Sequence, residues 1–350
     1  MMRNGGLAFA KMSRFESYRK WPILYFPVRY LQMRIKLFNF GAKGEEMKHN
    51  YSEFKRKARA HQIEFRKNYL GVGYNKYPNV LNYDDAQKGL VFYEGFREEI
   101  LTELKKPIPK TSSAPSGQML TNLLRSEHIP YNIFFPMHKD KNGCKDLLNQ
   151  ILGKEEISTV TDIKIEFHPE PIEDYLFDHT AFDVYISYKN KNNKSCGIGI
   201  EVKYTEKEYP LKEHTSEYAH VKDENGNTRL FQNYLTVTIN SRYYKDDVLH
   251  DTLISNKLRQ IWRNHILGAS MVMHGDIENF TSITLYPKGN VHFDNNAIPV
   301  YKELLTEIGK NSFVSITYEE LFDLMEKYLN IDDSNNWINY LRYRYLFPLE

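Results

Sequence analysis

Three charged residues interrupt two short apolar runs in the middle of the 350-residue chain. Asp183 lies in the first run, and Glu201 and Lys203 lie in the second. Because successive side chains of a strand point to opposite faces, Glu201 and Lys203 share a face and leave the apolar residues of their run on the other. In the first run the same alternation groups Phe182 with Val184 and turns Asp183 away from them. The pattern predicts a β-hairpin with one apolar face and one charged face.

The segment between the two runs is rich in Asn, Lys and Ser and is typical of a turn. A hairpin symmetric about Asn192 gathers the apolar residues of both runs, and a slip by one residue would turn them to the wrong face. This register predicts the pairs Val184–Ile200, Phe182–Val202 and Asp183–Glu201. Carboxylates directly opposite each other destabilise a sheet by up to roughly 1 kcal/mol. A divalent cation would offset that repulsion, since Mg²⁺ takes one or two protein carboxylates together with water and substrate phosphate.

Hydrolysis of a phosphodiester bond is the chemistry that fits such a site. Asp183 and Glu201 would hold Mg²⁺, which Mn²⁺ could replace, and the carbonyl of Val202 is a further candidate ligand. The metal would polarise a phosphoryl oxygen and acidify a bound water. Lys203 could accept the proton of that water or stabilise the charge that develops on the phosphate. Carboxylates raise the pKa of a nearby lysine while a metal and desolvation lower it, so both roles of Lys203 stay open.

The spacing Glu-x-Lys carries no information by itself. It recurs, once with aspartate, at Glu46/Lys48, Glu53/Lys55, Glu103/Lys105 and Asp162/Lys164. Glu201 and Lys203 differ from these because they flank a β-branched residue in an apolar strand, one hairpin after an aspartate. The alternative interpretation is a solvent-facing hairpin whose charges only keep the protein soluble.

Asp183, Glu201, Val202 and Lys203 together resemble the signature of the PD-(D/E)XK nuclease superfamily. Flanking segments resemble one of its subgroups, described as restriction endonucleases. These segments are IKIEFHPEP (163–171), HTAFDVYI (179–186), GIEVKYTE (199–206), RQIWRNHILGASM (259–271) and LYPKGN (285–290). The sequence departs from the superfamily pattern at Phe182, where the name of the superfamily has proline, but this is not a ligand position.

The resemblance implies a restriction-endonuclease-like core: an α/β fold with a mixed central β-sheet flanked by α-helices, here with a helical N-terminal region. It also implies a Mg²⁺-dependent endonuclease that cuts DNA in bacterial restriction or phage defence and leaves 5′-phosphate ends. In the resembled proteins, a carboxylate at the position of Glu166 lies near the metal, and a glutamine on the helix of Gln260 orders the site. Gln118 and Asn122 are the nearest matches to two amides of an earlier helix, for which ordinary helix-surface amides are the alternative.

The longest helical pattern covers residues 249–273 and has its core positions at Leu253, Ile254, Leu258, Ile261, Trp262 and Ile266. Gln260, Arg263 and Asn264 are three and four residues apart, so a helix would place them on one face. They could hold a phosphate of the nucleic acid or order the carboxylates, and Arg263 and Asn264 are predicted to bind nucleic acid. The alternative is an exposed polar stripe. His265 is predicted to be a hydrogen-bonded core histidine.

Other patterns supply the remaining elements. TDIKIEFHPEP predicts a strand with Ile163, Ile165 and Phe167 inward and Glu166 outward, ending at Pro169. GQMLTNLLRSE predicts a helix capped by Ser116, and FTSITLYP predicts a further strand. Thr317 and Glu320 predict a capping box, and a last helix follows. His168 and Asp178 are weaker candidates for the site.

Composition restricts the class of protein. A hydrophobic content of 41% and a formal charge of +2 describe a chain that can bury a large core, and no apolar run reaches the ~20 residues that span a bilayer. A net charge close to zero does not exclude nucleic acid as a partner, because a local basic surface decides binding. Two cysteines without paired spacing argue against zinc or a disulfide scaffold and favour the cytoplasm.

The chain is predicted to have four parts. They are a basic N-terminal extension (1–46), a helical region (47–110), the nuclease domain (111–330) and a C-terminal helix (331–350). The extension carries nine Lys or Arg residues up to Lys43 and only Glu16 before Glu45, which is compatible with a nucleic-acid arm or with a peripheral, partly disordered segment.

The sequence therefore predicts a metal-dependent DNA endonuclease, with a homodimer as one way to cut both strands. One rival is the same chemistry on RNA or on branched or damaged DNA. Another is a nucleic-acid-binding protein whose nuclease fold no longer cuts, against which the presence of Asp183, Glu201 and Lys203 argues.

Overall fold

The computed structural model describes residues 41–106, 117–207, 229–248 and 250–348. Residues 1–40 of the predicted basic extension and the predicted helix cap Ser116 lie outside these ranges. No helix in the described ranges combines the length and the apolar character that crossing a bilayer requires.

Five strands form one mixed sheet in the order β1-β2-β3-β4-β5. They are β1 (Ile157–Phe167), β2 (Phe182–Asn190), β3 (Ser195–Val202), β4 (Asn279–Tyr286) and β5 (Phe313–Thr317). β1, β2 and β3 pair antiparallel, and β3, β4 and β5 pair parallel. The predicted mixed sheet flanked by helices is thus confirmed, although the sequence analysis did not identify β5.

Twelve α-helices accompany the sheet in the described ranges. They are α1 (Gly41–Glu64), α2 (Tyr83–Gln87), α3 (Arg97–Leu104), α4 (Ile129–Ile133), α5 (Lys141–Leu152), α6 (Arg229–Ser241), α7 (His250–Leu253), α8 (Arg259–His274), α9 (Ile298–Leu304), α10 (Glu307–Asn311), α11 (Tyr318–Tyr328) and α12 (Ser334–Tyr345). A π-helical segment (Phe65–Leu70) continues α1. The predicted capping box of Thr317 and Glu320 begins α11.

The sheet lies between two helical layers that bury most of β2, β3 and β4, whereas much of β1 is exposed. One core contains Val184, Ile198 and Ile283 of the sheet together with α5, α11, α12 and the end of α1. The other contains Tyr185 and Phe280 together with α6, α8 and α9. Helices on both sides of residues 110 and 330 contribute to the first core.

Two helix predictions were wrong in detail. Residues 117–127 form turns because the backbone there pairs with an earlier segment: Leu81 N donates to Thr121 O (2.8 Å) and Leu123 N donates to Asn79 O (3.1 Å). The helix that precedes β1 is α5 instead. The predicted helix 249–273 is interrupted by a turn between α7 and α8, but its six core positions are buried as expected.

The predicted alternation also breaks down where the site begins. Phe182 was expected to share the face of Val184, and Phe167 that of Ile165, but both pack in the opposite core, where their rings stack on Tyr185. Glu166 has a left-handed φ of 53°, which reverses the faces along β1 at this point. Gly199 makes room for Phe182, since a Cβ there would lie 2.4 Å from its ring. The ends of β1 and β2 therefore turn aromatic residues away from the predicted face.

Candidate active site

Asp183 and the Glu201–Lys203 segment meet at the end of the β2–β3 hairpin. The ladder follows the predicted register as far as the pair Val184–Ile200, and the predicted pairs Phe182–Val202 and Asp183–Glu201 are not formed. Beyond the pair Val184–Ile200, a side-chain hydrogen bond connects the two strands: Asp183 Oδ2 accepts from the backbone amide of Val202 (2.6 Å). The carboxylate is thereby fixed beside the segment that carries Glu201 and Lys203.

Glu201 and Lys203 form a buried ion pair between Lys203 Nζ and Glu201 Oε1. Both lie on one face of the hairpin, as predicted, and Asn264 of α8 contacts Glu201 there. Burial raises the pKa of Asp183 well above its usual range, and the charge of Glu201 raises it further, while Lys203 and the amide of Val202 lower it. The three residues are therefore close enough to influence one another's charge.

Glu166 belongs to the same group of charges. Glu166 is exposed as a whole residue, yet desolvation of its carboxyl raises the pKa to about 7, the charges of Glu201 and Glu127 add to this, and Lys203 opposes it. Its left-handed backbone is uncommon for a residue other than glycine. Strain of this kind often accompanies functional sites, and the charge of Glu201 is close enough to raise the pKa of Glu166.

Asn264 reaches the site from α8. Its Nδ2 donates a hydrogen bond to Glu201 Oε2, so the two oxygens of Glu201 are held by Lys203 and by Asn264. The Oδ1 atom of Asn264 is buried without a hydrogen-bond partner. The prediction that Asn264 binds nucleic acid is untested, but its position is that of a residue that orients Glu201.

The other predicted residues of α8 lie elsewhere in the site or beside it. Gln260 is partly exposed and lies one turn before Asn264 on the same face of the helix. Arg263 points to the segment before β2, where its Nη2 pairs with Asp178 Oδ2 (3.1 Å) and its Nε donates to Thr180 Oγ1 (3.2 Å). The guanidinium therefore bonds inside the protein, although the spacing had placed it with Gln260 and Asn264.

The remaining weaker candidates lie outside this group. Gln118 is exposed, and Asn122 accepts a hydrogen bond from Asn79 (3.0 Å). His168 pairs with Glu170 (3.4 Å). His265 is fully buried between Tyr301 and Ser312, as its prediction as a bonded core histidine requires.

Two residues near the site were not predicted. Glu127 acts on the pKa of Glu166, but it is the last residue of a segment interpreted as a helix, so its sequence position gave no signal. Thr284 is the register partner of Glu201 on β4 and therefore shares its face. Its Oγ1 is buried without a hydrogen-bond partner. A clear signal existed only for the strand that carries Thr284.

The residues present fit a divalent metal in their chemistry. No group of three or more His, Cys, Asp or Glu side chains in the described ranges is already arranged around a metal position. Mg²⁺, however, needs only one or two carboxylates, because water and substrate supply its other ligands. The buried Oδ1 of Asn264, which has no hydrogen-bond partner, adds an oxygen of the kind that hard cations bind.

A mixed sheet flanked by helices, with two carboxyls and a lysine at the end of its β2–β3 hairpin, has the fold and the side chains that the resemblance to the nuclease superfamily implied. The sequence profile described as the PD-(D/E)XK nuclease superfamily matches residues 49–347. The chain belongs to this superfamily. No match was found among curated proteins or among solved structures.

Proposed function

We propose that the protein is an endonuclease that hydrolyses DNA phosphodiester bonds with a divalent metal, Mg²⁺ or Mn²⁺. The observation that carries the proposal is the convergence of the partly buried Asp183 with the buried Glu201 and Lys203 at the end of the hairpin. As a purely structural element this group would be costly, because two carboxyls are desolvated close to each other. Binding a cation explains why they are there.

The residues of the chain take separate parts in this proposal. Asp183 and Glu201 hold the metal, Glu166 and the carbonyl of Val202 are further candidate ligands, and the bound metal supplies Lewis acidity and an acidified water. Lys203 releases its contact with Glu201 and bonds the attacking water or a phosphate oxygen. Asn264 holds Glu201 in place. Gln260, one turn away, contacts the phosphate backbone of the substrate.

DNA is the proposed substrate, and bacterial restriction or phage defence is the proposed role. Both rest on the resemblance of the segments around the site to restriction endonucleases. Cutting both strands of a duplex takes two such sites, and the predicted homodimer is one arrangement that provides them.

Incubation of the purified protein with plasmid, single-stranded DNA and RNA, with Mg²⁺ and with a chelator, tests the proposal. We expect nicked or linear plasmid with Mg²⁺ and intact plasmid with the chelator. Asp183→Asn should be inactive, while the matched control Asp162→Asn should cut normally. Asp162 lies at Asp-x-Lys spacing in β1, but its carboxylate is exposed.

Other outcomes would redirect or end the proposal. Cleavage of RNA alone would move the substrate from DNA to RNA. Wild-type protein that cuts none of the substrates would indicate the rival function, a nucleic-acid-binding protein without catalysis. Asp183→Asn that cuts as fast as wild type would exclude the proposed site.

A further inference from the structure

Exposed tyrosines concentrate in one short stretch of the chain. Eight large hydrophobic side chains are exposed in the described ranges, and four of them, all tyrosines, fall between residues 69 and 83. Tyr74, Tyr77 and Tyr83 are 55%, 50% and 70% exposed. We call residues 71–83 the tyrosine loop. The abundance of aromatic residues in the sequence did not single out this loop, and most aromatic side chains in the described ranges are buried.

Two cations lie over one of these rings, that of Tyr77. Arg59 lies over the ring of Tyr77 at 6.0 Å from its centroid, and Lys76 lies over it at 5.5 Å. Both cations are exposed, and neither forms an ion pair within the described ranges. Their charges are therefore available to an anionic ligand beside the ring of Tyr77.

The loop is held in its conformation by a buried arginine. Arg66 donates from Nε to Pro78 O (2.8 Å) and from Nη1 to Val72 O, so it connects the two ends of the turn. Its guanidinium also lies 5.0 Å from the centroid of Tyr74 and supports that ring from one side. Asn75 N donates to Val80 O (2.9 Å) and closes the turn. A loop already fixed in this way loses little conformational entropy when it binds a ligand.

The tyrosine loop is connected to the edge of the candidate active site. Its end pairs with residues 121–123 through the backbone bonds that replaced the predicted helix. The next residues bond the segment directly after Lys203: Leu124 O accepts from Thr205 Oγ1 (3.3 Å), and Ser126 N donates to Glu206 Oε1 (3.0 Å). Residues 121–126 therefore connect the tyrosine loop to the segment that follows Glu201 and Lys203.

We propose that the tyrosine loop binds single-stranded nucleic acid, with unpaired bases stacked on Tyr74, Tyr77 and Tyr83 and phosphates bound by Arg59 and Lys76. Stacking on aromatic rings beside cations recognises unpaired strands without regard to sequence, since every base has a flat face. Bases within a duplex are stacked on one another and do not offer these faces. This inference rests on the proposed nuclease function, because it names a strand with unpaired bases as the preferred substrate of that nuclease.

Fluorescence anisotropy with short labelled strands, in the presence of a chelator, tests the proposal without cleavage. The probes are oligothymidylate, oligouridylate and a DNA duplex of the same length. We expect both single strands to bind more tightly than the duplex. Tyr74→Ala/Tyr77→Ala should raise the Kd for the single strands at least tenfold, since stacking contributes about 1–3 kcal/mol per base. Tyr74→Phe/Tyr77→Phe should bind as wild type does, because phenylalanine keeps the flat ring.

Tyr343→Ala is the matched control, since Tyr343 is 47% exposed but lies outside the loop. It should leave the Kd unchanged. Arg59→Gln/Lys76→Gln should weaken binding and reduce its dependence on salt, since each lost phosphate contact lowers the slope by about 0.7 for a single strand.

Equal Kd values for wild type and Tyr74→Ala/Tyr77→Ala would overturn the proposal, and so would equal losses for the duplex and the single strands. A preference for one of the two single strands would identify DNA or RNA as the natural ligand and would support the proposal. Because binding is measured without metal, the test of the tyrosine loop does not depend on whether the protein cleaves nucleic acid. Cleavage without an effect of the tyrosines would reject only the tyrosine loop, and tyrosine-dependent binding without cleavage would reject only the nuclease function.

Discussion

The carboxylate of Asp183 accepts a hydrogen bond of 2.6 Å from the backbone amide of Val202, the residue between Glu201 and Lys203. This bond continues the hairpin at the point where the backbone ladder ends. It brings the residue from the first strand to the two from the second, and it makes the position of Asp183 depend on backbone geometry. Substitutions in this group should therefore change activity and stability in different ways.

Asp183→Asn should abolish cleavage and stabilise the metal-free protein. The amide oxygen can still accept from Val202, but the variant lacks the negative charge that burial and Glu201 disfavour. We expect activity to fall at least about a hundredfold and the free energy of unfolding to rise by about 1 kcal/mol. Plasmid cleavage and urea unfolding measure the two effects. A variant that is inactive because it is less stable would contradict this account.

Glu201→Gln should have the opposite effect on stability. It removes the carboxylate that the buried Lys203 ammonium binds, and breaking a buried ion pair from one side costs about 3–5 kcal/mol. In the double variant Glu201→Gln/Lys203→Met no such charge remains, so much of the loss should be recovered. Urea unfolding of the two single variants and the double variant gives the coupling energy. Strictly additive losses would show that the pair is not coupled.

Stability should decrease in acid because of His265. Burial lowers the pKa of this histidine to about 3, so the folded protein keeps it neutral while the unfolded chain binds a proton below pH ~6.5. As the pH falls from ~6.5 towards 3, His265 binds a proton in the unfolded chain but not in the folded protein. By pH 4 this difference lowers the free energy of unfolding by about 3 kcal/mol. Unfolding experiments at several pH values should give a flatter dependence for His265→Gln. Equal slopes for the variant and wild type would refute the assignment.

Arg263 and Asp178 should matter for catalysis through position rather than contact with substrate. Asp178 accepts from Arg263 and from the hydroxyl of Tyr234 (2.7 Å), so this network joins α8 and α6 to the segment that leads into β2 and Asp183. We expect Arg263→Gln to lower kcat roughly 10- to 100-fold, with KM little changed, and Arg263→Lys to restore part of the loss.

Arg342→Gln provides the control for Arg263, because Arg342 pairs with the exposed carboxylates of Asp323 and Glu326. Surface pairs of this kind contribute about 0–1 kcal/mol, so cleavage should remain normal. Steady-state kinetics on one oligonucleotide substrate compare the variants. A rise in KM with constant kcat would instead indicate that Arg263 binds the substrate directly.

The sequence by itself determined the hairpin, its register and the three charges at its end. Period-two alternation is a local property of an extended chain, so it could be read without knowledge of the partner strands. The capping box before α11 and the core positions of α8 were predictable for the same reason, because helix caps and helix faces depend on residues three or four apart. The resemblance of Asp183, Glu201 and Lys203 to a known signature added the chemistry.

Tertiary structure decided what surrounds that group. The helix predicted at 117–127 gave way to backbone pairing with residues 79–81, and local propensity cannot show such a competing partner. The same holds for Asn264 and Arg263, adjacent in sequence, which bond Glu201 and Asp178 respectively because α8 presents them to different neighbours. Exposure of the tyrosine loop is likewise a result of folding, since a ring is buried or exposed only with respect to distant parts of the chain.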